Sequence, residues 1–380
     1  MDSLDVIIVH EFNGQKYFEA VSKLQESGEI NSLRFVESSV FKQLIRNLFR
    51  DRLSLVSSIK RAVRNAFFRL QVPSIKEKVI ILGIPPWDFR MLWYGMLAKN
   101  NYFIYHTSWP NWNLDTVPRQ YGPFNPFLRR RWHHVLQSNA VQIVGVASEA
   151  AKRVDQHFSE AEVTVIPHVV SAEFSKVAPT RLGRSFGILF VGELIEKKGI
   201  GLLTELIKRL ADLPTVHFGI VGTGPLTPLV KTLEKSPNVT VYGKVGSREK
   251  LAEIYAQHHV LVVPSQKTKR WEELFGMVIV EAMSVGLPVV ASNHIGPRSI
   301  ITSQEDGFLV SENSIDEFVQ AIQSLNENSD TWKTLSHNAQ TKAGSYSLEA
   351  VSAQWLTLLS SRQKLTEVDS ASQAYSQSTL

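Results

Sequence analysis

The chain contains no cysteine. Disulfides, thiolate nucleophiles and cysteine-based zinc sites are therefore excluded, and the composition fits a reducing cytoplasm. Long apolar runs are missing as well. No segment approaches the roughly 18 consecutive apolar residues that a membrane span needs. The opening stretch MDSLDVIIVHEF has acids where a signal peptide carries basic residues. We therefore expect a cytoplasmic protein, in solution or peripheral on the inner face of the membrane. What is present is enough for a sizeable core: 43% of the 380 residues are hydrophobic, and the length fits two domains of ordinary size. The net charge of +5 is unevenly spread, since residues 1–180 hold 22 Lys and Arg against 16 Asp and Glu, and the rest hold 19 against 20.

The first half opens with an apolar strand, Asp5–Val9, followed by Asn13-Gly14 and a helix over about 15–27. Further strand-like runs are Lys78–Leu82, Tyr102–Tyr105, Gln142–Val146 and Val163–Ile166. A polar stretch over 175–185 reads as a linker. A second series follows: Phe186–Val191, Val216–Val221, Val239–Tyr242, Val260–Val263, Pro288–Ala291 and Gly307–Val310, with helical patterns between them. Continuous apolar strands alternating with helices indicate parallel sheets covered on both faces. The fold class read from this is α/β, with two doubly wound, Rossmann-like domains facing a central cleft. The expected division is residues 1–178, residues 184–345, a C-terminal helix within 346–365, and a flexible Ser- and Gln-rich tail over 366–380.

One stretch does not read as ordinary core. In EELFGMVIVEAMSVGLPVV, Glu272 to Val290, an apolar helix carries Glu281 eight residues after Glu273. The segment follows a strand's carboxyl end, where ligands of open α/β sheets bind. Gly276 lets backbone approach a ligand, and the amides of Gly276, Met277 and Val278 at the helix start favour a phosphate. Glu273 and Glu281 would bracket that anion, and a carboxylate suits a sugar or ribose diol. Together these describe a nucleotide sugar. Without the surrounding loops the two acids would read as a solvated helix face.

The spacing resembles the E-x7-E signature of retaining glycosyltransferases of the GT-B fold, in the large family-four group. The resemblance covers roughly 185–345. Phe190-Val-Gly-Glu-Leu-Ile-Glu-Lys-Lys-Gly199 is similar to that family's first loop of the second domain, where a basic pair clamps the donor diphosphate. Ile220-Val-Gly-Thr-Gly-Pro225 is similar to its Gly-rich second turn, and Val241-Tyr-Gly-Lys-Val245 to the segment that cups the base. The resemblance implies metal-independent transfer with retention at the anomeric carbon, no cofactor, and no covalent intermediate. It implies Glu273, Lys198 and His106 as catalytic groups. It implies Gly192, Gly222, Gly224, Lys244, Phe275, Gly276, Met277, Val278 and Glu281 around the donor. It also has the last helix cross back to the first domain. Glu193 departs from the family, which usually has Arg there; an acid beside a diphosphate must point away or pair with Lys197. For Lys198, a solvent-facing lysine is the plain alternative; for Gly222 and Gly224, a simple turn; for His106, a satisfied core histidine.

On the acceptor side we expect Asn13, Gly14, Trp109 and Trp112. Trp109, Trp112, Tyr121, Phe124 and Phe127 either stack on acceptor sugars or only pack their loop. Residues 41–70 hold eight basic residues and one acid, with apolar residues at helical spacing. They fit an anionic membrane surface or a pair of helices packed on the sheet, and Arg129–Arg131 add a second cluster. The expected partners are a nucleotide sugar, a saccharide or lipid-linked acceptor of cell-surface polysaccharide or glycolipid synthesis, and an anionic membrane. No nucleic-acid motif accompanies the charge. A nucleotide-sugar epimerase of related fold and a non-catalytic basic binding module are the rival readings.

Overall fold

The computed structural model describes residues 4–11, 14–38, 63–109, 112, 121–138, 141–158, 161–180, 182–183, 185–211, 213, 215–268 and 271–361. Asn13, the tail over 366–380 and residues 41–62 of the basic stretch lie outside these.

Two six-stranded sheets organise the chain. The first comprises β1 (Leu4–His10), β2 (Ile30–Glu37), β3 (Val79–Gly83), β4 (Tyr102–Thr107), β5 (Val141–Gly145) and β6 (Glu162–Val165). Its spatial order is β2-β1-β3-β4-β5-β6. The second comprises β7 (Phe186–Val191), β8 (Val216–Val221), β9 (Val239–Gly243), β10 (Val260–Val263), β11 (Val289–Ser292) and β12 (Gly307–Val310). Its order is β12-β11-β10-β7-β8-β9. All neighbouring strands are parallel. The inner strands are β-branched and buried along their whole length, as VIILG, VQIVG and VLVV show, because helices cover both faces. These are the two doubly wound lobes the sequence predicts. The strand Ile30–Glu37 was not expected; INSLRFVE is an edge strand with only two of its eight residues buried, so it lacks the apolar run that marks its neighbours.

The longer helices are α1 (Glu19–Glu26), α2 (63–71), α3 (Asn125–Leu136), α4 (Ser148–His157), α5 (Ile200–Arg209), α6 (Arg248–Ala256), α7 (Met277–Val285), α8 (Ile315–Glu327), α9 (Ser329–Ala343) and α10 (348–361). Local chemistry sets several starts. Ser247 accepts from the Lys250 amide, and Asn328 accepts from the amides of Asp330 and Thr331, each satisfying donors that a helix start leaves open. Among the described residues no helix is long and apolar enough to cross a membrane.

Contacts among the described residues join the lobes. Val146, Ala147 and Ala150 beside β5 share one buried cluster with Phe275, Ile279 and Met283 of the second lobe. The last helix, α10, returns to the first sheet, where Val351, Trp355, Leu358 and Leu359 pack with Val6, Ile8, Phe18 and Ile81. Ser352 Oγ donates to the Ala20 carbonyl at 3.2 Å. The Trp355 ring lies 6.0 Å from Phe18 and 6.2 Å from His106. Replacing Trp355, which is 3% exposed, with Ala should lower the unfolding free energy by roughly 3–5 kcal/mol. Urea denaturation checks this, and a loss below about 1 kcal/mol would show that α10 contributes little to this core.

Candidate functional site

In the second sheet the chain runs outward from β7 in both directions, so β7 and β10 flank the point where strand order reverses. Loops from their carboxyl ends meet there. The β7 loop ends in a short turn, Glu196–Lys198, closed by Gly199 at φ +79°. A Cβ on Gly199 would sit 1.8 Å from the Pro264 carbonyl oxygen, so only glycine lets this turn rest on the end of β10. That contact brings Lys198 to Glu273, and Lys198 Nζ donates to Glu273 Oε2. Ser265 Oγ also reaches this oxygen, at 3.4 Å. Trp271 floors the pair: the ammonium groups of Lys197 and Lys198 lie 4.6 and 5.1 Å from its ring centroid, within cation–π range.

Helix α7 begins just beyond. Gly276 caps it at φ +84°, and Gly286 ends it at φ +90°. By helix geometry the amides of Gly276, Met277 and Val278 have no intrahelical acceptor. Glu281, half-buried on α7, accepts from the Tyr255 hydroxyl at 3.0 Å. Tyr255 is fully buried, and burial together with the Glu281 charge holds its phenol well above the usual range. The loop before α7 is fixed from behind. The Gly296 amide donates to the Glu273 carbonyl, and the Ile295 amide to Glu272 Oε1. Burial raises the Glu272 carboxyl, but Lys267 and the Ile295 amide outweigh it, and the group is held below its ordinary value.

The glycines after β7 and β8 serve each other. A Cβ on Gly222, at φ +141°, would sit 1.8 Å from the Gly192 carbonyl oxygen, and one on Gly224 would sit 2.5 Å from that of Leu194. Both glycines are thus required by loop packing alone. Lys244 is exposed just past β9. Glu193 is exposed and, among the described residues, forms no ion pair; Lys197 turns to the Trp271 ring instead.

The first lobe offers a cavity of about 210 Å³ at the carboxyl ends of β1, β3 and β4, lined by His10, Glu11, Tyr17, His106, Trp109 and His168 among others. Strand order reverses here too, between β1 and β3. Gly83 ends β3, and a Cβ there would strike the His10 ring at 2.4 Å. His168 bridges the lobes: its ring lies 5.4 Å from Tyr17, 6.1 Å from His106 and 5.1 Å from Phe275, the residue before the α7 cap. His168 therefore stands between the cavity and the start of α7. Glu11 is tied at 3.3 Å to Arg90, whose guanidinium also grips both oxygens of buried Asp88 at 2.8 Å.

His106 is both a packed histidine, against Phe18 at 4.7 Å, and a cavity wall. Gly14 is buried under Phe35 and His10. Trp109 lines the cavity, but Trp112 corrects the expectation: it is 2% exposed, its rings packed against Trp87, Tyr105, Trp132 and Phe158. Phe124 and Phe127 are exposed and do not line the cavity. Sequence reasoning missed Tyr255, Trp271, Ser265 and His10. Their roles come from contacts across the fold, and no local motif marks them.

Residues 172–342 match the family model of glycosyl transferases group 1. An uncharacterized glycosyltransferase of Haemophilus influenzae is 29% identical over 178 residues, 45% of this chain and 48% of that protein. The chain spans about half or less of the length of the curated relatives it matches. Sucrose-phosphate synthase from Thermosynechococcus elongatus superposes with a TM-score of 0.65 at 17% identity, covering 96% of this chain and all of that one, 100%. HepE of Anabaena, solved with UDP, gives a TM-score of 0.65 at 16% identity, over 94% of this chain and 100% of that one. What these structures share with the chain is the two-lobed GT-B fold.

Burial is the main force holding the cavity histidines neutral. It pushes His106 well below its ordinary value, with His168 and then His10 adding repulsion. It pushes His168 down to about 4, with His10 adding to it. Unfolded imidazoles titrate near 6.5, so below that pH the unfolded chain binds more protons than the folded one. This part of the stability is complete above about pH 6.5 and falls as the pH drops toward about 4. His258, held near 4 chiefly by burial, acts in the same sense. Urea titrations should show lower stability at about pH 5 than at about pH 7, with a smaller drop in His168→Asn. Equal stability at both would contradict it.

Proposed function

We propose that this chain is a glycosyltransferase that moves a sugar from a nucleotide-sugar donor to a saccharide or lipid-linked acceptor. The second lobe, within 184–345, holds the donor, and the first lobe, within 1–178, the acceptor. One observation carries the reading: Lys198 and Glu273 meet in front of the α7 cap. A cation and open amides at one place suit a diphosphate. A carboxylate beside them suits sugar hydroxyls. HepE, of the same fold, was solved with UDP and glucose, which supports a nucleotide and a sugar lying together in such a cleft.

The order of events follows from charge. Lys198 and Glu273 compensate each other where both are largely out of water, at 25% and 12% exposure. An arriving diphosphate brings more negative charge and draws Lys198 away. Glu273 is then free to accept hydrogen bonds from the sugar. As the bond to the leaving phosphate breaks, negative charge grows on the diphosphate, and Lys198 with the amides of Gly276, Met277 and Val278 stabilises it. The developing positive charge on the sugar faces Glu273. We propose retention at the anomeric carbon, as in the family-four group, with the leaving phosphate oxygen taking the acceptor's proton and no covalent intermediate. No cofactor or metal ion enters this scheme. Glu281, anchored by Tyr255, suits the ribose. The acceptor lies in the first-lobe cavity against Trp109, within reach of His106. The enzyme works in the cytoplasm, where cell-surface polysaccharide or glycolipid acceptors are presented.

A thermal-shift screen across UDP-, GDP- and ADP-sugars tests this. One donor should raise the melting temperature, consistent with ligand linkage to the folded state. Lys198→Ala should abolish most of that shift and cut turnover roughly 100- to 1,000-fold. Glu273→Gln should keep the shift with the bare nucleotide but lose the added effect of the sugar. The reading sinks if no nucleotide sugar shifts the wild-type chain.

A further inference from the structure

One face of the first lobe has no role in the cleft. Phe67, Leu70, Phe89, Trp93, Phe124 and Phe127 are between 44% and 75% exposed there. Among the described residues the second lobe shows one comparable side chain, Leu229. The six come from three segments that touch. Trp93 Nε1 donates to the Arg69 carbonyl at 2.9 Å, which ties residues 89–99 to α2. The Phe89 ring lies 5.8 Å from Tyr121. Gly95 lies so near α3 that a Cβ would come 2.9 Å from Val135.

The charge on this face has one sign. Segments 63–71, 89–99 and 121–138 contain no Asp or Glu, while Arg64, Lys99, Arg129, Arg130 and Arg131 are exposed on them. Exposed aromatics amid arginines, without acids, complement an anionic surface with an apolar interior. A second copy would set arginines against arginines, and a nucleic-acid duplex, its bases stacked within, would leave the phenylalanines without apolar partners. The face also lies beside the acceptor cavity, since Phe89 precedes Arg90, and Arg90 holds the cavity residue Glu11 at 3.3 Å.

We infer that this face docks on a lipid bilayer carrying anionic head groups, with the phenylalanines and Trp93 entering the interface and the arginines lying on the head groups. This sets the cleft mouth near the bilayer, where a lipid-linked acceptor would be presented. The surface assignment does not need the donor reading, because vesicle binding is measured without nucleotide.

Flotation of the full chain with phosphatidylcholine vesicles, with and without phosphatidylglycerol, tests it. The chain should float with the anionic vesicles, remain behind with the neutral ones, and bind less as salt rises. Arg130→Ser with Arg131→Ser should weaken binding roughly thirtyfold, at about fivefold per arginine. Phe124→Ser with Phe127→Ser should remove the binding that survives high salt. Phe67→Ser with Leu70→Ser serves as the second apolar variant should the first not fold. Nucleotide thermal shifts should be the same in all of these. The inference is overturned if the folded chain ignores anionic vesicles, if duplex DNA competes it off them completely at low concentration, or if the phenylalanine variants abolish a dimer and leave vesicle binding intact.

Discussion

Neighbouring parallel strands end on the same side, and in this chain that constraint decides where chemistry can occur. Residues 198 and 273 are far apart in sequence, but β7 and β10 pair directly, so the loops that follow them leave the sheet side by side. The loops touch through backbone, where the Gln266 amide donates to the Lys197 carbonyl at 2.8 Å. Gly199 packs on the Pro264 carbonyl at a distance no Cβ could share. The first lobe repeats the pattern at β1 and β3, where Gly83 gives way to the His10 ring. In both lobes a glycine beside the reversal of strand order leaves room for a polar group where its own Cβ would have been, the Pro264 carbonyl in one and the His10 ring in the other.

The groups assembled there would be costly to bury singly. A half-buried lysine or carboxylate left unpaired loses hydration without compensation. Here each has a partner: Lys198 with Glu273, Glu281 with Tyr255, Glu272 with Lys267, and Arg90 with Asp88 and Glu11. Such pairs add little net stability. Arg90, Glu272 and Glu281 are thereby held in place before any ligand arrives, which lowers the ordering cost of binding, while the Lys198–Glu273 pair is the one that the proposed scheme parts.

Much of this was legible in the sequence, for identifiable reasons. The inner strands announce themselves because both faces are buried and their runs are unbroken. The α7 segment stands out because an apolar helix bounded by Gly276 and Gly286 carries one carboxylate, Glu281, and follows another, Glu273. The limits are equally physical. Ile30–Glu37 is an edge strand facing water, so it carries no apolar signature. Trp112 lies in a segment rich in aromatics and reads equally well as a stacking platform or as core; its Nε1 bond to the Trp109 carbonyl and four ring neighbours make it core. Tyr255 and Trp271 act on residues brought near by the tertiary fold, and a periodicity argument sees only what is near in the chain.

The distribution of charge ties these observations together. The first half carries the excess of positive charge, 22 basic against 16 acidic residues over 1–180, yet its cavity is not basic. Arg90 is held between Asp88 and Glu11, and burial keeps His106 and His168 neutral. Among the described residues the exposed positive charge lies outside the cavity, on surfaces such as α3 with its run of three arginines. A field produced by surface arginines acts over about a Debye length, and on the proposed docking it would orient the lobe toward anionic lipid. On the proposed function the cavity would discriminate by shape and by neutral rings. Long-range attraction and close recognition thus rest on different residues of one lobe, so a change in the surface charge leaves the cavity's hydrogen bonds intact.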